Sequence, residues 1–272
     1  MQIGISTASL FVRKTTEDAL QFLSQNNVEV AEVFLESYCE YNKDFGKLLL
    51  NNKGQVNVHS IHVLTTQFEP QLYSINQRAQ ADSFKILEGA LDAGKEVGAK
   101  YYTFHGPARL KKTPIVMNFE RLGNITQKII EVCNTRNISL AYENVHWSYY
   151  NYIGYFKALK ERTVGLKATL DIKQARQSGI SYKDFINEMK EDIVTVHLSG
   201  VNENGKMCLP GKDCLVDYFD LFSRLKDVGF NGAMLLEVYQ NDYNNYEELF
   251  NSLYFIKNDF FNGLSVIFSS FF

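Results

Sequence analysis

Apolar and polar positions follow two rhythms along the 272-residue chain. Short runs rich in apolar and β-branched residues recur, and each is followed by a longer stretch with apolar positions at helical spacing. The runs predict strands over 2–6, 29–34, 56–60, 100–105, 138–143, 165–170, 193–198 and 233–238. The longer stretches predict helices over 16–25, 77–97, 119–135, 152–160, 182–189, 217–228 and 246–258. Eight strands alternating with helices imply parallel pairing with right-handed crossovers, and eight units of about 30 residues each close into a (β/α)₈ TIM barrel.

Local punctuation agrees. Thr15 or Thr16 before Glu17 and Asp18 forms an N-terminal cap with acids that complement the helix dipole, while Gly98 and Gly229 stand where helices stop. The blocks KEVGAKYYTF and LKDVGFNGAMLLEV both read helix, glycine, strand. No Pro/Ser-rich linker interrupts the series, so residues 1–272 read as one domain with an apolar tail over 258–272.

Composition narrows the picture. With 45% hydrophobic and 14% aromatic residues, the chain has apolar surface for a large core. A net charge of −3 lacks the basic excess that a phosphate backbone demands, so no nucleic-acid partner is expected. Cys39, Cys133, Cys208 and Cys214 are scattered without a C-x-x-C pair, and no signal peptide precedes the first strand; reduced thiols and a cytoplasmic location follow as expectations. The tract GLSVIFSSFF is shorter than the roughly 20 residues of a membrane span. Its Phe268, Phe271 and Phe272 point to a homodimer contact.

The candidate chemistry sits at one place in each repeat, the C-terminal end of the strand. Glu32, His59, His105, Glu143, Asp171, His197 and Glu237 all fall there. In a parallel barrel those ends share one face, so residues distant in sequence converge on one axis. Any one of them alone reads more often as a helix cap, a surface group or a satisfied hydrogen-bond partner. Glu143, Asp171, His197 and Glu237 on four consecutive strands read as a divalent-metal site, since buried charges need a counter-charge or a metal. Three carboxylates with one imidazole suit a hard or borderline ion; Mn²⁺ is the first choice, with Zn²⁺, Mg²⁺ or Co²⁺ as alternatives. Glu32 reads as the partner of a cation, and His62 as a loop residue after the third strand. His146 and Trp147 either line a substrate pocket or cover the barrel mouth. Lys206 and Lys212, near Gly205 and Gly211, read as solvated lysines or as a phosphate site. Phe68, Tyr73, Trp147 and Tyr149 are candidates to cap an unphosphorylated sugar.

These pieces in this order resemble the xylose isomerase-like TIM barrels, a superfamily of sugar isomerases and epimerases that includes endonuclease IV. The matching segments are IGISTASL, VHSIH, FHGP, YENV, TLDI, VHLSG and GFNGAMLLEVY, spread over nearly the whole chain. The resemblance to the ketose 3-epimerase branch implies one Mn²⁺ or similar ion on Glu143, Asp171, His197 and Glu237. It also implies an acid/base pair, Glu237 and Glu143, which removes and returns the proton beside a sugar carbonyl through an enediolate. A small carbohydrate or sugar phosphate is the implied substrate.

Two departures stand out. Gln174 replaces the histidine of the family's sixth-strand D-x-x-H, and Glu203 followed by Lys206 stands where the epimerases carry a sugar-binding arginine. Gln174 and Lys206 therefore become the substrate-binding candidates there. The resemblance to endonuclease IV implies a second metal or substrate contact at His59 and His105, bridged by Glu143, without residues for a third zinc. Alternatives to the isomerase are a metal-dependent dehydratase, an endonuclease IV-like hydrolase, and a barrel that binds without catalysis.

Overall fold

In the computed structural model, which describes residues 1–64, 67–109, 117–211 and 214–258, eight parallel strands close on themselves. They are β1 (Gln2–Ser6), β2 (Val30–Leu35), β3 (Asn57–Val63), β4 (Tyr101–Phe104), β5 (Ser139–Glu143), β6 (Lys167–Asp171), β7 (Ile193–Leu198) and β10 (Ala233–Leu236). A two-stranded antiparallel hairpin, β8 (Gly200–Val201) with β9 (Met207–Cys208), is inserted before the last barrel strand. Closure runs from Gln2 opposite Ala233 to Ile5 opposite Leu236. The apolar tail from 259 onward, including Phe268, Phe271 and Phe272, and Lys212 lie outside the described residues.

The helices are α1 (Thr16–Gln25), α2 (Lys43–Asn52), α3 (Gln77–Val97), α4 (Phe119–Asn134), α5 (Tyr155–Lys160), α6 (Ile172–Gln177), α7 (Tyr182–Met189), α8 (Tyr218–Asp227) and α9 (Tyr246–Phe255). Thr15 caps α1 by accepting from the Asp18 amide, and Gly98 ends α3 in the left-handed region at φ 88°. The sequence pattern passes over α2 and α6. In α2 the apolar face is narrow, with Leu49 buried and Phe45 one turn before it packed on the core, while exposed Leu48 and Leu50 beside it blur the period in the sequence. Gly46 lets α2 press on α3, where a Cβ would lie 2.5 Å from the Ala93 carbonyl oxygen. With six residues, α6 is too short to display a period.

Strand alternation separates two interiors. Ala31, Val33, Val196, Leu198, Met234 and Leu236 face outward into the main apolar core beneath the helices. On the opposite faces, Val30, Ala233 and Leu235 form a small apolar plug inside the barrel. Two β-bulges break the alternation. Ala31 pairs with Val58 and Glu32 with Ser60, leaving His59 as the extra residue of β3; Ala168 pairs with Ile193 and Thr169 with Thr195, leaving Val194 as the extra residue of β7. The two meet across the barrel, where His59 Nε2 lies 3.0 Å from both the Val194 carbonyl oxygen and Thr195 Oγ1.

Candidate metal centre

The strand ends deliver their ionisable groups to one place. His197 Nδ1 lies 3.2 Å from Glu143 Oε1, 3.3 Å from Glu237 Oε2 and 3.8 Å from Asp171 Oδ2. One ligand atom from each of Glu143, Asp171, His197 and Glu237 falls within 4.8 Å of the others, and all four residues are buried. The sequence signals align with this because Glu143 and Asp171 close their strands, His197 is the penultimate residue of its own and Glu237 immediately follows one. Asn144 fixes the geometry further: its side-chain amide donates to the Asp171 carbonyl and accepts from the Asp171 amide, at 2.9 and 2.8 Å, tying the ends of β5 and β6 together.

Two further groupings share these residues, namely His62, His105 and Glu143, and Glu32, His62 and Glu237. The expectation for the third strand is corrected here. His59 does not reach the centre; its ring stays at the floor of the barrel against Tyr101, fully engaged with β7. His62 takes that place instead. It lies within β3, with Nε2 2.8 Å from His105 Nε2 and Nδ1 3.4 Å from Glu32 Oε1. The bulge at His59 shifts the alternation by one residue, so that a position three further along also faces the axis.

Behind the imidazoles stand two carboxylates: Glu32, which the sequence reading made the partner of a cation, and Glu69, which it did not single out. Glu32 accepts from Ser6, Ser60 and Thr103 hydroxyls at 3.2, 2.7 and 2.6 Å, and its Oε1 is 3.0 Å from His197 Nε2. Glu69, from the segment after β3, accepts from the His105 backbone amide and from the Tyr102 hydroxyl, and lies 3.3 Å from His105 Nδ1. Glu69 orients the His105 ring through Nδ1, the usual support for a metal-binding histidine, and Glu32 faces His197 Nε2 as a close charge partner. After His105 the chain turns through Gly106 at φ 73°, where a Cβ would meet the Tyr142 hydroxyl at 1.8 Å.

The electrostatics reflect crowded carboxylates. Burial works against the charge of Glu143, yet His105 and His197 hold its carboxyl below the usual range. Burial likewise opposes Glu32, and His197 and His62 bring it well below its ordinary value. Glu237 ends above its ordinary value because burial outweighs the help of His197 and Lys173. The His105 imidazole, despite burial, is pushed up to about 10 by Glu143 and Glu69, and His197 is raised well above its ordinary value by Glu237 and Glu32. The cluster thus draws positive charge to itself. Asp171 Oδ2 and Glu237 Oε2 are buried without an aligned hydrogen-bond donor. Orphaned carboxylate oxygens converging with an imidazole are the donor set of a divalent cation, so the residues fit such an ion.

Above the centre lies a cavity of about 230 Å³. Glu143, Glu237, His62, His105, Gln174 and Trp147 reach it, with Trp147 packed on the His105 ring at 5.3 Å between centroids. Gln174 Oε1 accepts from the His146 backbone amide at 3.2 Å and bonds its Nδ1, so exposed His146 holds Gln174 rather than lining the cavity itself. Phe68 and Tyr73 are buried in the apolar core, and Tyr149 packs at its edge; the aromatic walls are Phe11, Phe34, Trp147 and Tyr239. Lys206 does not reach the cavity. The β8–β9 hairpin carries it to an exposed turn, where the Asn202 amide donates to the Lys206 carbonyl at 2.9 Å. The buried cation at the centre is Lys173, which the sequence pattern did not single out.

A family model for the xylose isomerase-like TIM barrel matches residues 20–257. The chain belongs to this family. Among solved xylose isomerase-like and related barrels, a D-psicose 3-epimerase in the presence of D-fructose superposes with a TM-score of 0.74 at 13% identity, covering 94% of this chain and 98% of the other. IolI protein with a binding zinc atom gives 0.78 at 14% identity over 95% and 97%. The probable 3-DHS dehydratase AsbF from Bacillus anthracis gives 0.73 at 15% over 95% and 99%. At these identities the likeness establishes the fold. No curated protein matches the chain in sequence. Among the described residues, no helix is long and apolar enough to cross a membrane.

Proposed function

We propose that this protein is a divalent-metal-dependent isomerase or epimerase of a small sugar or sugar derivative. The observation that carries the reading is that Glu143 and Glu237 converge on one cation-binding cluster and also line the same cavity. Glu143, Asp171, His197 and Glu237 would hold the ion, Mn²⁺ or Zn²⁺ being the best suited to the donor set. Such an ion, when bound, polarises carbonyl and hydroxyl oxygens and lowers the barrier to removing the neighbouring proton.

The protein's own residues do the rest. Glu143 on β5 and Glu237 beyond β10, with β6 and β7 between them, approach the cavity from separate directions. One carboxylate takes the proton from the carbon beside the carbonyl, leaving an enediolate. The other returns a proton to the opposite face, and the pair exchanges roles in the reverse direction. Gln174, its carbonyl held by His146, presents its amide nitrogen to a hydroxyl, and Trp147 with Phe34 offers apolar faces to the sugar ring. A volume of about 230 Å³ falls below the roughly 300–1,000 Å³ of drug-sized pockets, which favours a monosaccharide-sized ligand. The epimerase and dehydratase barrels of the same shape support carbohydrate or related chemistry.

The test is a panel of ketoses, uronates and sugar phosphates incubated in D₂O with Mn²⁺-loaded protein and followed by NMR. Deuterium at a single carbon of the product is expected. Turnover without deuterium uptake would overturn the enediolate route.

A second reading, a two-metal hydrolase, is favoured by the His62, His105 and Glu143 grouping, which would add a second ion bridged by Glu143. The small cavity and the net charge of −3 weigh against a nucleic-acid substrate. Two equivalents of metal per chain, with cleavage of an abasic-site oligonucleotide, would favour it.

A further inference from the structure

Lys173 is the one lysine or arginine among the described residues that is buried, at 1% exposure. Its ammonium makes no hydrogen bond. The nearest carboxylate oxygens, Asp171 Oδ2 and Glu237 Oε1, are both 3.9 Å away, beyond the 2.7–3.2 Å or so of an N–H···O bond. On its other side it lies 4.1 Å from the centre of the Tyr239 ring, whose face attracts a cation without using any of its three N–H donors. A buried ammonium with unused donors is strongly disfavoured unless a partner satisfies it. Glu237 and Tyr239, which flank it, both line the cavity above the metal centre.

Charge balance points the same way. Glu143, Asp171 and Glu237 bring three carboxylates to one grouping, and one divalent ion offsets only two of their charges. Negative charge developing on a substrate oxygen in such surroundings needs another fixed cation nearby, and Lys173 is held beside the carboxylate that meets the substrate.

We propose that Lys173 is a catalytic residue that donates hydrogen bonds to the substrate oxygen on which negative charge develops, making the site selective for planar α-hydroxycarbonyl ligands in their anionic, enediolate-like form. Lys173 keeps its proton throughout; the transferred proton moves only through the glutamates. The inference rests on the metal-dependent isomerase reading above.

Glycolohydroxamate, a small planar enediolate mimic, is the probe. Its affinity for Mn²⁺-loaded protein is measured by calorimetry in the wild type and in Lys173→Met, alongside the Mn²⁺ affinity of each. The expected result is a loss of probe affinity of at least tenfold in K173M, with Mn²⁺ affinity unchanged or increased because a nearby positive charge is gone. Unchanged probe affinity in K173M overturns the proposal and reduces Lys173 to a counter-charge for the ligands, while the metal reading stands. Absence of Mn²⁺ binding by the wild type overturns both. If K173M fails to fold, Lys173→Gln, which keeps an N–H donor without the charge, takes its place with the same expected loss.

Discussion

The two ends of the barrel interior bury polar groups in opposite ways. At the floor, His59 is a bulged residue whose ring nitrogen reaches a bulged carbonyl on the far wall, so the polar groups of two irregular strands satisfy each other. At the rim, Asp171 and Glu237 keep carboxylate oxygens without donors, and Lys173 keeps donors without acceptors. Both ends carry histidines, yet burial pushes His59 down to about 4 while carboxylates push His105 up to about 10. A buried polar group whose bonds are completed within the chain serves the fold; one left incomplete beside others of its kind marks a place for a ligand.

The largest effect should come from the rim. Glu237→Gln removes one of the two proposed proton-transferring groups at nearly constant volume, and turnover should fall roughly 10²- to 10⁴-fold. His59→Gln should leave turnover within a few-fold; a comparable loss in both variants, measured on the same substrate with circular dichroism as a check on folding, would erase the contrast between the ends.

The floor should show itself in stability instead. His59 has a folded-state value of about 4 against 6.5 for a free imidazole, so between those values the unfolded chain binds more protons. Its contribution is fully present above pH 6.5 and lost as the pH falls through 4, by at most about 3 kcal/mol. Denaturant titrations from pH 7 to 4 should show a shallower decline in His59→Gln than in the wild type.

A ligand effect belongs to the rim alone. Mn²⁺ or Zn²⁺ at a hundredfold excess over its dissociation constant should stabilise the fold by about 2.7 kcal/mol, a rise in melting temperature of roughly 5–10 °C. Asp171→Asn should shrink that rise, and His59→Gln should not. The smallest effect is expected one layer back. Glu69→Gln leaves His105 without its orienting carboxylate, and metal that engages His105 should bind about 10- to 100-fold more weakly by calorimetry.

By itself the sequence determined the barrel and most of its rim. Strands β1 and β7 and helices α1, α3 and α7 have the bounds that periodicity predicts, because an alternating pattern commits a segment locally. Glu143, Asp171, His197 and Glu237 were legible because strand ends of a parallel barrel converge whatever the side chains between them. Three things belonged to the tertiary structure. The choice of His62 over His59 depended on a bulge, which moves every later residue to the other face and leaves no signature in composition. Glu69 acquires its role from a segment that folds back beneath His105, and Lys173 acquires its own from a six-residue helix that lays it beside Glu237, a residue 64 positions further along the chain. Periodicity states which way a residue faces; only packing decides what it meets there, because partners far apart in sequence are brought together by the closure of the barrel itself.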